Sequence, residues 1–127
     1  MEKRGSVSLW VGMTKSARDL SAFVEGSYSE DGDYVLSSFE RAFNMHHYDE
    51  DSIEMEYYEH ELTDVREISA DFSYYESIAQ GFSSLPTSTH IVSFNSVVLI
   101  YNFTYDESQR HFTDGVNQFE YIGAVEY

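Results

Sequence analysis

Ser96-Val97-Val98-Leu99-Ile100-Tyr101-Asn102-Phe103-Thr104-Tyr105 is the segment around which the rest of the chain is organised. Val97 to Tyr101 form an uninterrupted β-branched and aromatic run without a charge. So short an apolar run suits a strand buried on both faces, although a buried helical segment shows the same lack of periodicity. From Asn102 the pattern turns to alternation, with Phe103 and Tyr105 on one side and Asn102 and Thr104 on the other. That predicts a strand central at its start and half exposed toward its end. The rest of the chain reads as cover for this strand, or as what the covered sheet displays.

Working outward, a turn over Asp106 to Gly115 leads to a last strand, Gln118 to Glu126, carrying Phe119, Tyr121 and Ile122-Gly123. Antiparallel pairing of this strand with the anchor strand is the simplest connection. At the other end, Ser6 to Gly12 alternates: Val7, Leu9 and Val11 point one way, Ser6, Ser8 and Trp10 the other. Trp10 is expected in the core rather than in a site. Ser16 to Glu25 reads as a helix with Ser16 as N-cap, Asp19 near its start, a stripe of Leu20, Phe23 and Val24, and Gly26 as its stop. Ser27 to Asp33 is a surface turn, and Ser37-Ser38 open a second short helix with Phe39, Ala42 and Phe43 on one face.

Ile53, Met55 and Tyr57 alternate with Glu54, Glu56 and Tyr58, the pattern of a strand with one face in and one face acidic. Leu62 to Asp71 leans to a short irregular helix. Ser73 to Leu85 is a clearer one, with a Ser73/Glu76 capping box, Ile78, Ala79, Phe82 and Leu85 as its stripe, and Pro86 as its end. Together these elements predict a single α+β domain, mainly an antiparallel sheet of about four to five strands covered by about three helices.

With 127 residues, 42% of them hydrophobic and 17% aromatic, the chain can build a core and is not disordered. Its charge is the outlier: 23 Asp and Glu against 7 Lys and Arg give a net charge of −16. Such a field repels nucleic acid and anionic membrane surfaces and favours a basic partner, although acidity also serves solubility alone. The absence of cysteine removes disulfides, thiolate chemistry and Cys-type zinc sites. The N-terminus has too short an apolar stretch for a signal peptide, and no segment approaches a spanning helix, so the expected location is cytoplasmic.

Motifs for catalysis are mostly missing. His60-Glu61-Leu62-Thr63-Asp64 begins like a helical His-Glu-x-x-His zinc motif, but Asp64 stands at the second ligand position. Asp31, Asp33, Asp49 and Asp51 are hard oxygen donors on loops, yet neither loop has the EF-hand order. There is no glycine-rich phosphate loop and no nucleophile elbow. The five histidines are scattered. Carboxylate pairs suited to a hydrolase arise by chance on so acidic a surface. No metal or cofactor is expected. What stands out is acid combined with aromatic: between Asp49 and Glu61 there are seven carboxylates and no Lys or Arg, beside Tyr48, Tyr57 and Tyr58. Carboxylates bind Lys and Arg, and tyrosine gives rigid contact area on which Arg stacks. The plain alternative is a solvated sheet face.

Taken in order, the elements resemble the bacterial immunity protein 22 family of polymorphic toxin systems. The matching stretches are Val7-Ser8-Leu9-Trp10-Val11-Gly12, Tyr28-Ser29-Glu30-Asp31-Gly32-Asp33, Ser38-Phe39, Tyr48-Asp49-Glu50-Asp51, Leu99 to Tyr105, and Phe119 to Tyr127. Their order and spacing over Val7 to Tyr127 carry the resemblance, since each motif alone is short. It implies an α+β domain encoded beside a toxin, often a nuclease, which it binds to protect the producing cell. It implies no catalytic activity and no cofactor. It carries over no contact residues, so the expected toxin-binding surface rests on charge alone: Asp31, Asp33, Tyr48, Asp49, Glu50, Asp51, Glu54, Glu56, Tyr58, Glu59 and Glu61. The alternatives are an acidic binding or scaffold protein without a toxin partner and a carboxylate-dependent hydrolase.

Overall fold

The structure is a computed structural model that describes residues 2–45, 52–64, 67, 68, 72, 78, 80, 81, 85, 93–107 and 109–126. Its strands are β1 (Glu2–Met13), β2 (Ser27–Tyr28), β3 (Tyr34–Val35), β4 (Ile53–Leu62), β5 (Phe94–Phe103), β6 (His111–Thr113) and β7 (Gln118–Glu126). Two helices, α1 (Ala17–Val24) and α2 (Ser38–Ala42), have both ends among the described residues. Five strands form one antiparallel sheet in the order β4-β5-β1-β7-β6, and β2 and β3 form a separate two-stranded ribbon. The fold is α+β and mostly sheet.

The apolar run of the anchor strand is buried throughout, because β5 lies inside the sheet between β4 and β1. Beyond it the expected alternation is present, with Asn102 and Thr104 half-buried and Phe103 and Tyr105 turned inward. Phe103 and Tyr105 are 5% and 4% exposed, packed on the same side as Trp10, and the Tyr105 hydroxyl donates to the Phe43 carbonyl at 2.5 Å. The expected pairing of the last two long strands fails. β1 inserts between β5 and β7 and pairs with both, Leu9 lying opposite Leu99 on one side and Gly123 on the other. β7 takes its hairpin partner instead from β6, inside the segment read as a turn.

Alternation along β1 sends Val7, Leu9 and Val11 into one core and Trp10 into another, so both faces of the sheet are covered. On the first face α1 contributes Leu20, Phe23 and Val24, and α2 and its C-cap contribute Phe39 and Phe43, around Trp10, which has no exposed surface. Phe23 stacks on Phe119 at 4.9 Å, and Phe39 meets Trp10 edge-on at 5.2 Å. On the second face Val97, Leu99 and Tyr101 join Ile68, Phe72 and Ile78.

Both helix starts form as expected. Ser16 Oγ accepts from Asp19 N at 3.1 Å, and Ser37 and Glu40 close a capping box. α1 ends at Glu25 in extended backbone, so Gly26 is not a left-handed stop. A Cβ at Gly26 would instead lie 2.1 Å from the Tyr34 hydroxyl. Of the helix expected over 73–85, Ile78, Gln80 and Gly81 are helical, and most of the remainder lies outside the described residues. Of the segment 62–71, Leu62 ends β4, and Glu67 N bonds to Asp64 O in a turn. No helix among the described residues is long and apolar enough to cross a membrane.

Candidate interaction surface

β4 is the outermost strand on its side of the sheet. Ile53, Met55 and Tyr57 lean on the first core, as their alternation predicts, and the Tyr57 hydroxyl donates to the Lys15 carbonyl at 3.2 Å. The opposite side differs from the sequence expectation of a plainly acidic face. Glu54 and Glu56 sit opposite Leu99 and Val97, whose side chains enter the second core, so both carboxylates are half-buried at its margin. Tyr58 packs against the same core and meets His60 edge-on at 6.2 Å. The cause is the second covering layer: a sheet buried on both faces leaves no wholly solvated face for its edge strand to display.

Beyond Tyr57 the pairing breaks. Tyr57 lies opposite Ser96 but Leu62 lies opposite Phe94, so β4 spends more residues than its partner over this stretch and bulges outward. Glu59, His60 and Glu61 fall in the bulge and are exposed. Glu61 accepts from Ser93 Oγ at 3.2 Å. His60 and Glu61 therefore stand on a strand, not on a helix, and the spacing that would put zinc ligands on one helical face has no such meaning here. Among the described residues no group of three or more His, Asp or Glu is placed to hold a metal ion.

Asp31 and Asp33 occupy the tip of the β2–β3 ribbon with Glu30, all exposed. The tip is a compact turn: Ser29 N donates to Asp33 O at 2.8 Å, Gly32 N to Ser29 O at 2.9 Å, and Asp33 N to Ser29 Oγ at 3.2 Å. Gly32 takes φ +86, a conformation open to glycine at little cost. The ribbon is tied to α2 through Tyr34, whose hydroxyl donates to Glu40 Oε1 at 2.5 Å. Of the expected contact residues, the structure thus groups Glu54, Glu56, Tyr58, Glu59 and Glu61 on one edge strand. Asp31 and Asp33 belong to a different element. Tyr48, Asp49, Glu50 and Asp51 lie outside the described residues.

Sequence reasoning missed the aromatic content of the ribbon. Tyr28 and Tyr34 face each other across it with ring centroids 5.5 Å apart, and Val35 stands beside them, exposed. The available signal was Ser27-Tyr28 and Tyr34-Val35 flanking Asp31-Gly32, an aromatic hairpin pattern around a turn dipeptide.

Among known proteins, the model of a family described as Immunity protein 22 matches residues 7–127. No curated protein and no solved structure matches the chain.

Proposed function

The chain belongs to the Immunity protein 22 family, and from that membership we propose that it neutralises a cognate bacterial toxin whose catalytic domain is basic, a nuclease being the class that fits best. A nuclease must present cations to substrate phosphates, and a protein of net charge −16 is attracted to such a groove. The observation that carries this reading is the edge strand β4, whose residues 54–61 hold no Lys or Arg: Glu59 and Glu61 are exposed in its bulge, with Glu54 and Glu56 half-buried beside them. Its carboxylates would occupy positions that substrate phosphates otherwise take, blocking the groove sterically and electrostatically. Binding of this kind needs no catalytic residue and no cofactor on this chain.

The test uses the toxin domain encoded beside this chain's gene, purified and assayed for cleavage of nucleic acid with and without the protein. Equimolar protein should abolish cleavage, and the inhibition should be competitive with substrate and weaken as salt is added. A toxin domain that cleaves at full rate in an excess of the protein overturns the reading. Inhibition that substrate cannot compete away moves the contact from the groove to a neighbouring surface.

A further inference from the structure

Four large hydrophobic side chains are exposed among the described residues, and three of them share one small element: Tyr28 (67%), Tyr34 (37%) and Val35 (40%) on the β2–β3 ribbon. Single exposed apolar residues are ordinary, but three on a ribbon of two-residue strands make a local patch. Tyr28 belongs to neither core of the sheet. The patch is also prearranged. The Tyr34 ring lies over Gly26, where no Cβ would fit, and its hydroxyl is held by Glu40, itself 3% exposed and bonded to Ser37 N at 2.9 Å. Tyr28 rests edge-on against that fixed ring. A large side chain already ordered in the free protein loses little entropy when a partner covers it.

From Glu25 to Glu40 the chain has five carboxylates and no Lys or Arg, so nothing within this stretch neutralises the ribbon's tip. We propose that the β2–β3 ribbon is the anchoring contact with the toxin: Tyr28 packs against an Arg or Lys side chain of a basic protein surface, while Asp31 and Asp33 pair with flanking cations. The inference rests on the immunity reading and deepens it by separating an anchor from the acidic strand. Charge complementarity selects this occupant. A second copy of the chain, with the same −16 charge, or an anionic membrane would be repelled at the acidic tip. The two surfaces have different kinetic roles. An aromatic anchor over a cation governs dissociation, whereas the peripheral carboxylates of β4 govern encounter.

The experiment measures association and dissociation rates with a catalytically inactive form of the toxin domain encoded beside this chain's gene. Tyr28→Ala should raise the dissociation rate by about 30-fold, the size of an aromatic hot spot, and Tyr28→Phe should keep most of the affinity because the ring meets the cation. Asp31→Lys with Asp33→Lys should slow association. Melting temperatures equal to the wild type show that each variant is folded. If Tyr28→Ala and the Tyr28→Ala/Val35→Ala pair bind like the wild type while Glu59→Lys/Glu61→Lys binds weakly, the ribbon is not the anchor and the immunity reading stands. A wild-type protein that fails to bind the toxin overturns both.

Discussion

At the scale of single residues, the β6–β7 turn gives the clearest dependence on pH. Asp114 Oδ1 accepts from Val116 N at 2.8 Å and from Asn117 N at 2.6 Å, and these backbone bonds hold its carboxyl below the usual value of 3.8. A carboxyl depressed in the folded state stabilises above its unfolded pKa and loses that contribution as pH falls through the folded value. The gap in melting temperature between wild type and Asp114→Ala should therefore be full at about pH 6 and shrink as the pH drops below about 4, a comparison two thermal scans provide. Gly12 and Gly32 make a second contrast. A Cβ at Gly12 would sit 2.5 Å from the Gln118 carbonyl oxygen, which is backbone of β7, whereas Gly32 has open space and only a left-handed φ. Gly12→Ala should accordingly cost several times more than Gly32→Ala, whose penalty is about 1 kcal/mol. Chemical denaturation of the two variants checks the order.

At the scale of elements, the link from Gly26 through Tyr34 and Glu40 to Ser37 joins the end of α1, the ribbon and the start of α2. Gly26→Ala must push the Tyr34 hydroxyl off the buried Glu40 carboxylate. The loss should be about 1–3 kcal/mol, the range for depriving a buried acceptor of a donor. Ser37→Ala removes the acceptor for Glu40 N and should cost about 1 kcal/mol. If the ribbon anchors the toxin, Gly26→Ala also weakens toxin binding and Ser37→Ala does so less, because only the first displaces the ring on which Tyr28 rests. Calorimetry on the two variants separates a loss of stability from a loss of the docking surface. The bulge of β4 has a similar logic: it frees Glu59, His60 and Glu61 from the sheet while Leu62 returns to the core.

At the scale of the whole molecule, charge dominates. A net charge of −16 on 127 residues produces a field that reaches beyond any one contact, within the ~8 Å screening length of physiological salt. Association with a basic toxin should slow by about tenfold or more between low and high salt, while dissociation changes little, a split that stopped-flow or surface-binding kinetics resolves. A salt-independent association rate would show that the acidity serves solubility and not encounter.

The sign of the surface, the buried run of β5, the Ser16 cap, the start of the second helix, the burial of Trp10 and the family were all legible in the sequence. Those features follow from composition or from neighbours a few residues apart: Ser16 meets Asp19, Ser37 meets Glu40, and β1 alternates. Only the folded arrangement shows that β1 lies between β5 and β7 and that Glu54 and Glu56 are half-buried. The physical reason is distance along the chain. Ser8 Oγ donates to the Phe103 carbonyl at 2.8 Å, and Thr14 N to Asn95 Oδ1 at 3.0 Å, contacts between residues far apart in the chain. Local pattern says which side chains share a face, but only such long-range pairing says what covers that face.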